Sequence, residues 1–281
     1  MHRRELLKIL GVAAASPFVP RSAHALLRAG VERRLDAIGI QLYTVRTLMD
    51  RDVEGTLAAL AEIGYTQVEF AGLHGKSAKA MRAILDRHHL TSPSTHIALD
   101  EIRGHWARVL DEAQTLGQRY IICPWLDADQ RRTLDDYRRI AHELNAAGET
   151  ARKTGMTLGY HNHNFEFTPI EGTIPYDVLL AECDPRLVAM ELDLFWIVKG
   201  GQDPLAYIAK HPGRFPLVHV KDMTKGGEMT DVGKGAIDFA AIFAQSARAG
   251  IQYYFVEHDE PPSPLDSARA SYEYLRRMRF Q

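Results

Sequence analysis

Cysteine is scarce in this chain: its 281 residues contain 2. Neither a disulfide framework nor a cysteine-rich zinc site can be built from so few. A surplus of positive charge is missing as well. Lys and Arg number 34 against 36 Asp and Glu, a formal net charge of −2, so the chain lacks the basic stripe that displaces counterions from nucleic acid. No apolar run approaches the roughly 20 residues of a membrane-spanning helix. Pro/Gly/Ser-rich linkers, low-complexity tracts and composition shifts are absent too, which favours one domain. With 46% hydrophobic residues spread along the chain, disorder is excluded and an ordinary soluble globular protein is expected.

Residues 1–25 have the anatomy of a cleavable signal. Arg3 and Arg4 precede Leu6-Leu7-Lys8, a weakly apolar stretch from Ile9 to Val19, and a small-x-small exit at Ala23-His24-Ala25. Paired arginines with mild hydrophobicity resemble a twin-arginine signal, although Leu6 stands where such signals often carry Phe. Pro17 and Pro20 argue against a simple amphipathic helix. The expectation is export to the periplasm or beyond. Removing 25 of 281 residues takes away four Lys/Arg and Glu5, leaving residues 26–281 at −2 − 3 = −5. In that oxidising setting Cys123, closing a strand, and Cys183, closing a helix, are expected on opposite faces and unbonded.

Short β-branched or apolar runs alternate with longer helical segments in the rest of the chain. Strands are predicted over 37–43, 66–71, 92–98, 119–123, 157–163, 187–194, 216–221 and 252–258. Helices are predicted near 53–63, 76–88, 103–117, 131–154, 175–182, 203–210, 237–248 and 265–279. Val53, Leu57, Leu60 and Ala61 share one helical face. Asp52 and Asp203 sit at N-cap positions, and Gly64, Gly117, Gly155 and Gly250 just past helix ends. Strict alternation implies parallel strands with helical crossovers, and eight units in about 250 residues is the size of an α/β (β/α)8 TIM barrel. A doubly wound open sheet is the runner-up, but no Gly-rich nucleotide fingerprint follows the first strand.

In a TIM barrel the C-terminal strand ends meet at one mouth. Strand 2 delivers Glu69 there, strand 3 His96, strand 5 His161-Asn162-His163 with Glu166 beyond, and strand 6 Glu191 and Asp193. Strand 7 delivers His219, Lys221 and Asp222, and strand 8 Glu257 and His258. Residues i and i+2 share a face, so His161 pairs with His163, Glu191 with Asp193, and His219 with Lys221. A mixed imidazole–carboxylate set suits a borderline divalent ion better than calcium.

The stretches IGIQLYTVR, ALAEIGYTQVEFAG, LGYHNHNFEF, ELDLFWIVKGGQDP, FPLVHVKDM, VGKGAIDF and YYFVEHDEP resemble the xylose-isomerase-like TIM barrels, the sugar phosphate isomerase/epimerase superfamily. That resemblance covers residues 37–279. It implies one divalent metal (Mn, Co, Zn or Mg) held by one ligand from each of strands 5 to 8, here His161, Asp193, His219 and Glu257. The superfamily's ketose 3-epimerases carry Glu on strand 5, so His161 breaks their two-carboxylate arrangement and weakens the case for reversible epimerisation. One register step would bring in His163 or Glu166 instead.

The remaining roles follow from chemistry and position. Glu257, Lys221, Glu166 and His163 are candidate acid/base groups. Glu69 and His96 are placed to orient substrate hydroxyls, and Trp125 and Trp196 to stack on a sugar face. The structural alternatives are strand-end caps, rim hydrogen bonds, an ion pair of Lys221 with Asp222, and a tryptophan plug. The Gly226–Gly235 stretch reads as a loop over the mouth without P-loop spacing. The resemblance implies an isomerase or epimerase that works through a metal-stabilised enediolate on an unphosphorylated sugar or keto-sugar. A lyase or hydratase acting by elimination on a 3-keto-glycoside is the alternative, and a non-catalytic sugar-binding module the third. The charge argues against the abasic-site endonucleases that share this barrel. Expected partners are a small sugar or keto-sugar, with no nucleic acid, no membrane insertion after signal cleavage, and room for a homo-oligomer.

Overall fold

The computed structural model describes residues 32–281; the segment read as an export signal lies outside them. Eight parallel strands close into a barrel: strand 1 Gly39–Gln41, strand 2 Gln67–Phe70, strand 3 Thr91–His96, strand 4 Tyr120–Cys123, strand 5 Thr157–His161, strand 6 Val188–Asp193, strand 7 Leu217–Val220 and strand 8 Tyr253–Val256. Each pairs with its sequence neighbours, and strand 8 returns to strand 1 through Gly39–Phe255 and Ile40–Val256. Every predicted strand is present. Several predicted strands end beyond the ladder because the chain turns away after the last paired residue, which leaves His163, Lys221 and Glu257 on the rim.

Helices fill the crossovers where the apolar spacing places them. The helix Val53–Ile63 starts on Asp52, whose carboxylate accepts the Gly55 N–H, and stops at Gly64 with φ 120°. Leu57 and Leu60 are fully buried on its inner face. The helix Leu134–Lys153 opens with a capping box from Thr133 to Asp136. Cys123 and Cys183 are buried and free, as expected from their positions. No helix among the described residues is long and apolar enough to cross a membrane.

Two apolar regions result from the strand period of two. Ile40, Val68, Phe70, Ile121, Leu158, Tyr160, Val188, Met190, Leu192, Val218, Val220 and Val256 point outward into the shell between barrel and helices. Tyr120, Ile122, Ala189, Leu217 and Phe255 form a separate cluster that floors the barrel interior. Gly39 and Gly159 leave room for that floor. A Cβ at Gly39 would lie 2.5 Å from the Phe255 ring, and one at Gly159 would lie 2.5 Å from Ile122 Cδ1.

The Gly226–Gly235 segment does not cover the mouth, and none of it lines the main cavity. It forms a short antiparallel ribbon, Met229–Thr230 against Asp222–Met223. The Asp222 carboxylate accepts N–H bonds from Gly233 (2.9 Å), Gly235 (2.9 Å) and Ile237 (3.2 Å). That use of Asp222 removes it as the ion-pair partner of Lys221.

Candidate active site

Above the floor the same inward positions turn polar. Two residues beyond Leu217 is His219, beyond Ala189 is Glu191, and beyond Phe255 is Glu257. Register sets their heights, with Asp193 level with His219 and His161 level with Glu191. Glu69, Glu191, Asp193 and His219 are fully buried. They surround the base of a cavity of ≈ 590 Å³ lined by His96, His161, His163, Lys221, Glu257 and Asp259 at its polar end.

His219 stands at the centre. Its Nδ1 lies 2.7 Å from Glu257 Oε2 and 3.9 Å from Asp193 Oδ2, and its Nε2 lies 2.7 Å from Glu69 Oε2 and 3.3 Å from Glu191 Oε2. Two groups of four potential ligands therefore share this imidazole. The outer one is His161, Asp193, His219 and Glu257; the inner one is Glu69, His96, Glu191 and His219. Within each group the ligand atoms all lie within 4.8 Å of one another. His161 Nε2 is 3.1 Å from Asp193 Oδ2, while His161 Nδ1 is buried without a partner.

The outer quartet is held from several directions. Asn162 accepts the Asp193 N–H at 3.0 Å, and Asp193 Oδ1 accepts the Trp196 N–H at 2.8 Å. Asp193 thus caps the helix Leu194–Lys199, which is why strand 6 runs into a helix with no loop between them. Lys221 Nζ reaches Asp193 (3.1 Å), Glu257 (2.7 Å) and Asp259 (2.8 Å). In the inner quartet Glu69 also accepts from Gln41 Nε2 at 2.8 Å and from Ser94 Oγ, and His96 Nε2 sits 2.8 Å from Glu191.

Protonation follows from these contacts. Burial pushes His161 down to about 4, helped by the nearby His219 charge, so it is a neutral imidazole at neutral pH. Burial alone would also neutralise His219, but Glu191 and Glu257 outweigh it and hold its pKa well above the usual value. Lys221 resists burial in the same way through Asp193, Glu257 and Asp259. Burial raises Asp259 and pushes Glu166 up to about 8.

The structure sorts the residues proposed from sequence. His161, Asp193, His219 and Glu257 converge. His96, Trp125, Trp196, His163 and Lys221 line the cavity. Glu69 does not reach it: the expected hydroxyl-orienting residue is buried beneath and bonded to His219. Glu166 is also away from the cavity lining, accepting from Tyr160 O–H at 2.6 Å and His163 N–H at 2.8 Å, so it braces the strand-5 turn. Sequence reasoning assigned no role to Asp259, although the EHDE run after strand 8 marks it. It likewise passed over Gln41 and Tyr43; Gln41 shares the inward parity of Gly39 on strand 1.

The sequence profile of the xylose isomerase-like TIM barrel matches residues 57–278. The chain belongs to that family. It is an enzyme of the family, and its relatives and solved neighbours carry related chemistry. An inosose dehydratase of Geobacillus thermodenitrificans is 30% identical over 175 residues, covering 54% of this chain and 58% of that protein. An inosose dehydratase of Lacticaseibacillus casei is 24% identical over 254 residues, covering 75% of this chain and 85% of that protein. A crystal structure of a sugar phosphate isomerase/epimerase from Parabacteroides distasonis superposes with TM-score 0.75 at 27% identity, over 85% of this chain and 93% of that one.

Proposed function

We propose that this enzyme eliminates water from a cyclic, unphosphorylated polyhydroxy ketone with the help of one divalent cation. The observation that carries the reading is the convergence of His161, Asp193, His219 and Glu257 beside Lys221 at the base of the cavity. Kinship with two inosose dehydratases favours elimination over isomerisation.

The outer quartet fits a cation by its chemistry: two imidazoles, two carboxylates, a neutral His161 and an exit to the cavity. The inner quartet is enclosed, and its carboxylates already accept from Gln41, Ser94, His96 and His219. Its role in this reading is to take the Nε2–H of His219, so that a cation, on binding, would release the Nδ1 proton and take that nitrogen as its ligand. The mixed donors suit Mn, Co or Zn better than calcium, with Mg a weaker fit. When bound, such an ion polarises a ketone and its neighbouring hydroxyl and makes the adjacent C–H more acidic.

Lys221 and Asp259 manage the protons. Asp259, a carboxylate raised by burial and therefore a better base near neutrality, takes the proton from the carbon next to the ketone. The electron pair of that C–H bond becomes the new C=C bond as the C–O bond of the next carbon breaks. Lys221 gives a proton to the departing hydroxyl, which leaves as water. The 2.8 Å contact between Lys221 and Asp259 then returns the proton from the carboxyl to the amine, so both groups are reset.

The test is an inosose incubated with metal-loaded enzyme in deuterated water. Loss of one water in product mass supports elimination, whereas deuterium incorporation without loss of water sinks it. That second result would favour isomerisation or epimerisation, the reading supported by likeness to the Parabacteroides distasonis structure. Lys221→Met is expected to lower turnover by about 10²–10⁴-fold with cation content unchanged. For residues 1–25 we retain export as the reading. N-terminal sequencing of the periplasmic protein is expected to begin at Leu26, and mature-length protein confined to the cytoplasm would refute it.

A further inference from the structure

The cavity is larger than a cyclic polyol needs. A keto-polyol of six carbons and six oxygens occupies no more than about 360 Å³, even with a whole liquid water's share of about 30 Å³ per non-hydrogen atom. The cavity holds ≈ 590 Å³. Besides its buried polar groups the lining includes Tyr43, Ala71, Pro124, Trp125 and Trp196, with Asn164 and the exposed Glu260. Among the described residues three large apolar side chains are exposed, Tyr43 at 42%, Trp125 at 44% and Tyr274. The first two both line this cavity, and their exposure puts them at its solvent side.

Those two rings are held in place despite their exposure. The Arg46 guanidinium lies over the Tyr43 ring at 4.0 Å from its centroid, and Arg46 also donates to the Tyr43 carbonyl. Arg131 lies over the Trp125 ring at 5.6 Å and is tied down by the Leu126 carbonyl. Trp125 Nε1 donates to Asp127 at 3.1 Å, and the indole meets His163 edge-on at 4.7 Å. Ordering an exposed aromatic costs rotamer entropy, and here that cost is met before any ligand arrives. A fixed, solvent-facing ring beside a polar pocket is the arrangement that stacks on a ligand ring.

We propose that the outer half of the cavity is a subsite for a second ring, so that the substrate is a glycoside with a ring aglycone and Tyr43 and Trp125 are the stacking platforms. The inference rests on the inner half taking the keto-polyol ring, but its test does not depend on turnover. The shared chemistry is a flat or chair-shaped ring joined through one oxygen. Its source is either an aromatic alcohol or a second sugar.

Isothermal titration of the full mature chain with three unreactive probes separates these outcomes: methyl β-glucoside, phenyl β-glucoside and cellobiose. Binding of the phenyl probe or cellobiose about threefold to tenfold tighter than methyl β-glucoside is expected from one stacked ring pair. Whichever probe gains identifies the aglycone. The gain is expected to vanish in Trp125→Ala and to shrink in Tyr43→Ala, with thermal unfolding showing both variants folded. Equal affinity for all three probes, undetectable binding of all three, or a ring preference that survives both substitutions overturns the subsite. Dehydration of an inosose together with equal probe affinities removes the subsite and leaves the proposed reaction standing. A Trp125-dependent ring preference without dehydration does the reverse.

Discussion

The floor and the cup of the barrel interior are built on the same inward positions, two residues apart. Leu217 belongs to the floor and His219 to the cup, Phe255 to the floor and Glu257 to the cup, Ala189 to the floor and Glu191 to the cup. The floor is apolar and close-packed, so it adds stability through burial. The cup sequesters carboxylates, imidazoles and an ammonium, and desolvation costs each of them several kcal/mol before pairing repays part of it. One step along each strand therefore moves from structure that holds the barrel shut to structure that the barrel must hold. That division permits a charged interior: the strain of the cup is carried by the floor and by the helical shell.

Breaking the cup is expected to have the largest effect. Asp193→Ala removes an oxygen shared by His161 and Lys221. Cation content measured by mass spectrometry is expected to fall to background, with activity down at least about 10³-fold, or ~4 kcal/mol of transition-state stabilisation. Stoichiometric metal in a folded variant would refute the outer site. Breaking the floor should show the opposite pattern. Phe255→Ala is expected to cost about 3–5 kcal/mol in denaturant unfolding while the remaining folded protein keeps its cation.

A gentler change probes the join between the two quartets. Glu69→Gln keeps the size of the side chain but weakens the partner of His219 Nε2. A loss of cation affinity of about 10–100-fold is expected, read by competition with a chelator, with little change in unfolding. Unchanged affinity would free the inner quartet from its positioning role.

The last test is a slope. Burial raises Glu166 to about 8 from its ordinary 4.5, so across that interval the unfolded chain is ionised while the folded chain keeps its proton. The folded state then binds more protons, and stability falls as pH rises from about 4.5 to about 8. Glu166→Gln is expected to flatten that part of the melting-temperature profile. An unchanged slope would show that Glu166 is already ionised in the fold.

Much of this architecture is legible in the sequence alone. The alternation of eight apolar runs with helical segments locates every strand, because the period of two and the spacing of i, i+4 and i+7 are local properties. The outer quartet is legible through the family resemblance, which implies one ligand from each of strands 5 to 8; strand-end position alone leaves His163 and Glu191 as equals of His161 and Asp193. Depth and direction are not legible. Glu69 and His96 look alike as strand-end polar residues, yet one is sealed under His219 and the other faces the cavity, because Glu69 pairs with Ser94, two residues before His96 on strand 3. Glu166 looks catalytic from its place beside the HNH run, but the turn after strand 5 folds it back onto Tyr160.

The order of elements, the closed barrel and the residue types available at its mouth were written in the sequence, because each depends on neighbours within a few positions along the chain. Only the tertiary structure decided that one imidazole serves two quartets, that Lys221 bridges three carboxylates, and that Asp222 belongs to a loop. The first two depend on side chains from strands up to 188 residues apart, Glu69 to Glu257, meeting in a low-dielectric interior. There, differences of about an ångström fix which charge is paired and which is left for the substrate.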